Sequence, residues 1–77
     1  MAPNKIVEKH ARMIRECTKR LEDESVFDHG PGNDFAVGCI EKLESLMTWI
    51  EQEGYLTPKQ LQMVNNIDRA IDKWLHY

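Results

Sequence analysis

No segment of this sequence is apolar for long enough to cross a membrane. A spanning helix needs about 20 consecutive apolar residues, and charged side chains interrupt every stretch of that length here. The opening Met1-Ala2-Pro3-Asn4-Lys5 has no apolar core of the signal-peptide kind, which points away from secretion. Two cysteines, Cys17 and Cys39, do not make a disulfide framework; the expectation is two thiols in a reducing cytoplasm. Glycine (4) and proline (3) are scarce and grouped, so the chain reads as a few long elements rather than many short ones.

What is present fits one small domain over residues 1–77. The hydrophobic share of 42% is ordinary for a globular chain and too high for a disordered one. A chain of 77 residues buries only about 60–65% of the surface it exposes when unfolded, so its core is thin. Domains this small often lean on a partner, a metal or a second copy.

The spacing predicts an all-α fold of three helices. In the first, from about Asn4 to Glu24, Ile6, His10, Met13, Ile14, Cys17 and Leu21 recur at helical steps on one face. Glu22-Asp23-Glu24 then fall at the negative end of the helix dipole, which disfavours them unless a base answers. Two glycines around Pro31 predict a loop over Asp28–Asp34, with Asn33 or Asp34 capping a second helix from about Phe35 to Glu53. Its stripe is Ala36, Cys39, Ile40, Leu43, Leu46, Met47 and Ile50. Gly54 marks the stop. Thr57-Pro58-Lys59-Gln60 carries the strongest local signal: Thr57 as N-cap, Pro58 in the first turn, Gln60 closing a capping box, and Leu56 and Leu61 placed for a hydrophobic staple. The third helix then runs to about Leu75 on Leu61, Val64, Ile67, Ile71 and Trp74. The short second connection predicts a tight hairpin of helices two and three. The longer first one leaves helix one less firmly placed, free to complete a three-helix bundle or to exchange with a second copy, as in a dimer.

Charge is unevenly distributed. Residues 1–20 hold six bases against two acids, whereas residues 21–56 hold nine acids against Lys42. The bland explanation is that the basic first helix lies beside the acidic second and neutralises it. The sharper one is that Lys5, Lys9, Arg12, Arg15, Lys19 and Arg20 track a phosphate backbone. Against that, no aromatic residue interleaves those bases to stack on nucleobases, and the whole chain is acidic at −3.

Chemistry finds little to work with. His10, Cys17, His29, Cys39 and His76 contain no pair at the two-to-four-residue spacing of structural zinc sites, so no metal is expected. Both cysteines lie on apolar stripes, where a thiol stays neutral and inert. The carboxylates sit in dense charge runs on hydrophilic faces, unlike a desolvated general acid. Gly30-Pro31-Gly32 lacks the Gly-Lys-Ser/Thr ending of a phosphate loop. The expectation is therefore a protein without catalytic residues or cofactor. Trp74, His76 and Tyr77 form an aromatic C-terminus that either anchors a partner or closes the bundle end.

Phe35, Leu43, Gly54-Tyr55-Leu56-Thr57-Pro58-Lys59-Gln60-Leu61 and Ile67 together resemble a helical hairpin of small bacteriophage-encoded proteins, some of them involved in DNA metabolism. The resemblance covers about half the chain. It implies a phage or mobile-element origin and an accessory or host-directed role. Some such proteins carry zinc-binding cysteine pairs, which this sequence lacks, so the resemblance brings no metal and no catalytic residue.

The function expected is that of a protein-binding module, docking on a larger host or phage protein, such as a defence or nucleic-acid-processing complex, and modifying or inhibiting it. Its candidate contacts are Arg12, Arg15, Glu41, Glu44, Glu51 and Trp74. The alternatives are a nucleic-acid-binding accessory protein using the six bases of helix one, and a self-assembling structural protein.

Overall fold

The computed structural model describes residues 5–76, with side chains from residue 7 onward. The helix start expected at Pro3 and Asn4, the side chains of Lys5 and Ile6, and Tyr77 lie outside the described residues. The elements are α1 (Lys5–Asp23), a 3-10 turn (Ser25–Phe27), α2 (Gly30–Glu53) and α3 (Pro58–Leu75). They form a three-helix bundle, with no strand among the described residues. Arg20 near the end of α1 bonds Asp68 and Asp72 near the end of α3, so these two helices run parallel and α2 runs against both. At about 1.5 Å per residue, α2 is roughly 36 Å long and sets the length of the molecule.

The apolar stripes meet along the bundle axis. Ile14, Cys17 and Leu21 of α1, Ala36, Cys39, Leu43, Leu46 and Ile50 of α2, and Val64, Ile67 and Ile71 of α3 are buried. Phe27 and Leu56, one from each connection, close the two ends. Burial matches the stripes expected from spacing, except that His10, Met13, Ile40, Met47, Leu61 and Trp74 are half-buried at the flanks.

The start of α3 is as its sequence requires. The Gln60 backbone N–H donates to Thr57 Oγ1 at 3.2 Å, and the Thr57 N–H donates to Gln60 Oε1 at 2.9 Å, which closes the capping box. Gly54 ends α2 in the left-handed region (φ 79°), and its N–H donates to the Ile50 carbonyl at 2.9 Å.

The first connection corrects the sequence reading in three ways. Gly30-Pro31-Gly32 is not part of a loop: α2 begins at Gly30, five residues before Phe35. Proline in the first turn gives up a donor that has no partner there anyway, so a Gly-Pro-Gly run is compatible with a helix start. The N-cap is His29, without a side-chain cap bond, rather than Asn33 or Asp34. Asn33 instead donates from Nδ2 to the Phe27 carbonyl at 3.1 Å, tying the first turn of α2 to the 3-10 turn. The connection is consequently short and ordered by its own bonds: Glu24 N–H to Arg20 O, Phe27 N–H to Glu24 O, and Asp28 N–H to Ser25 O. Helix α1 is therefore firmly placed. Its backbone approaches both other helices along more of their length than α2 and α3 approach each other, so the α2–α3 pair is joined tightly at its turn but not the closest-packed of the three.

Gly38, mid-way along α2, does not serve a close approach, because a methyl group built there meets nothing within 4 Å. Glycine in a helix interior costs about 0.5–1 kcal/mol relative to alanine. Gly38→Ala is therefore expected to stabilise the fold, raising the thermal midpoint by about 4 °C in a circular-dichroism melt.

Candidate interaction surface

The bundle presents charged faces rather than a cleft. On α2 the side opposite the core carries Asp34, Val37, Glu41, Glu44, Thr48 and Glu51, all exposed, at steps of three, four, three, four and three. That spacing keeps them in one ridge along the helix. Four of the six are acids, and no base lies on the ridge. Like charges three or four residues apart cost a few tenths of a kcal/mol per pair, so Glu41 and Glu44 repel each other in the free protein. Asp34 was read from sequence only as a possible cap and Val37 not at all. Their place in the ridge follows from the 3–4 spacing once the core side of α2 is known.

On α1, Lys9, Arg12, Arg15 and Lys19 are exposed. They share the surface with Glu8, Glu16 and Glu22, also exposed, so the basic face is interrupted. Arg20 does not belong to it. The guanidinium is half-buried between α1 and α3, donating to Asp68 Oδ1 at 2.6 Å and to Asp72 Oδ1. The hydrogen bond to Asp72 raises the Arg20 pKa, with both carboxylates adding to the effect against the burial that lowers it. These are the two ion pairs found among the described residues, and both join α1 to α3. Helix α1 lies beside α2 as expected, with Arg15 and Lys19 across a groove from Glu44, but among the described residues no ion pair joins the two helices; the bond of Arg20 goes to the two aspartates that one turn of α3 stacks on one face. Side chains about half exposed, as these aspartates are, put such a pair at roughly 1 kcal/mol. Glu22, Asp23 and Glu24 remain exposed at the end of α1 and form no ion pair among the described residues.

Between α1 and α2 runs a shallow groove. Ile14, Leu43 and Met47 form its floor, Arg15, Lys19 and Glu22 stand on the α1 rim, and Glu44 stands on the α2 rim. A second groove, between α1 and α3, has Cys17 and Val64 at its base beside the Arg20–Asp68 pair.

The aromatic residues divide between the two ends. Phe27, Phe35 and Trp74 form a cluster with ring centroids 5.6–6.2 Å apart, so Trp74 packs against the start of α2 and closes that end of the bundle. Each such contact adds about 0.5–1.5 kcal/mol beyond the area buried. At the other end Trp49 meets the exposed Tyr55 edge-on at 6.3 Å. Trp49 Nε1 and His10 Nδ1 are buried without a hydrogen-bond partner among the described residues.

Both cysteines are buried and free. Burial pushes the Cys17 thiol up to about 11, and the nearby Asp68 charge pushes in the same direction. Burial also raises Cys39. A thiol near 11 carries roughly a hundredfold less thiolate at pH 8 than one at 9.0. Alkylation by iodoacetamide at pH 8 is therefore expected to be at least that much slower in the native protein than in urea. The same shift links to stability. The unfolded thiol ionises near 9.0 and the folded one only near 11, so folding stability falls as pH rises through that window. Among the described residues no group of three His, Cys, Asp or Glu side chains gathers as a metal site would require, and no helix is long and apolar enough to cross a membrane.

Comparison with family models, with curated proteins and with solved structures gives no match for this chain.

Proposed function

We propose that this protein is a binding module that docks on a larger protein through the charged faces of α1 and α2. The observation that carries the reading is the acidic ridge of α2: Asp34, Glu41, Glu44 and Glu51 lie in one line, exposed, and none of them forms an ion pair among the described residues. A ridge that repels itself in the free protein is relieved by a basic partner surface, which gives electrostatic steering and specificity. Arg12 and Arg15 supply contacts of the opposite sign on the adjoining helix. Trp74 is half-buried in the aromatic cluster and supports the shape of the module more than its contacts. The buried, protonated thiols and the solvated carboxylates favour a binding protein over an enzyme. The resemblance of the Gly54–Leu61 hairpin to phage proteins adds an accessory role in a host cell, modifying or inhibiting its target by occlusion.

The nucleic-acid reading is weaker on the same grounds. Arg20 is engaged by Asp68 and Asp72, and Glu8, Glu16 and Glu22 sit among the bases that remain.

Capture by the tagged protein from a lysate of the organism that encodes it, with and without nuclease, separates the two. A discrete protein retained after nuclease supports docking. Recovery that collapses with nuclease rejects it in favour of the basic helix and nucleic acid.

A further inference from the structure

We draw no further inference here: the strongest candidate, the hollow between α1 and α3 over Cys17 and Val64, carries nothing, because that floor is already buried by the chain itself, its rim mixes the Arg20 guanidinium with Glu16 and Asp68, and nothing in the structure shows what covers it.

Discussion

Gly32→Ala is expected to cost about 3 kcal/mol and to leave the protein partly or wholly unfolded at 37 °C. Gly32 is buried in the first turn of α2, where that turn meets the 3-10 connection. A methyl group there overlaps the Val26 carbonyl oxygen, lies 3.1 Å from its carbon and reaches the Phe27 Cα at 3.5 Å. All three obstacles are backbone, so no side chain can swing aside. Relief requires α2 to move off the connection, which breaks the Asn33–Phe27 bond and lifts Phe27 from the core. Overpacking that forces backbone shifts costs about 1–3 kcal/mol, and the overlap here places it at the upper end. A domain of this size has about 4–12 kcal/mol in all. For 60–100 residues, 1 kcal/mol moves the thermal midpoint by about 4–8 °C, so the expected drop is at least about 12 °C. Gly38→Ala, on the same helix, is expected to move the midpoint the other way. A thermal melt of the two variants side by side checks both. Equal midpoints would show that the close approach at Gly32 is absent.

Leu43→Ala is expected to be at least as damaging. Leu43 is fully buried at the middle of α2, at the floor of the α1–α2 groove. Removing three carbons from a site that cannot collapse costs the transfer energy plus the cavity, about 3–4 kcal/mol for a leucine of this kind. Leu43→Met keeps the volume and is expected to cost less than about 1.5 kcal/mol. Urea titration distinguishes the two: at a slope of about 1 kcal/mol/M, the alanine variant is expected to shift the midpoint by about 3 M and the methionine variant by about 1 M. Alanine and methionine variants of equal stability would contradict the packing described here.

The contrast between these sites shows what spacing can and cannot reveal. The buried stripes of α2 and α3 were legible because burial repeats at the helical period, and the start of α3 was legible because Thr57 and Gln60 satisfy each other within four residues. The start of α2 was not. Gly30-Pro31-Gly32 has the composition of a break, and only the approach of the Val26 carbonyl explains why a glycine stands in the first turn of a helix. The partners of Arg20 were equally hidden, since Asp68 and Asp72 lie 48 and 52 residues away and local pattern carries no record of such a pairing. The acidic ridge stands between these cases. Glu41, Glu44 and Glu51 stand out as a charge group, but their alignment with Asp34 and Val37 depends on knowing which side of α2 faces the core.

The ridge also decides what the protein does on this account, and one measurement addresses it directly. A tagged variant carrying Glu41→Lys, Glu44→Lys and Glu51→Lys is compared with the wild type in nuclease-treated lysate, after circular dichroism has shown equal helicity. The account predicts a discrete protein retained by the wild type and lost by the variant. Retention of the same protein by both would contradict it, because docking would then run through some other face of the bundle.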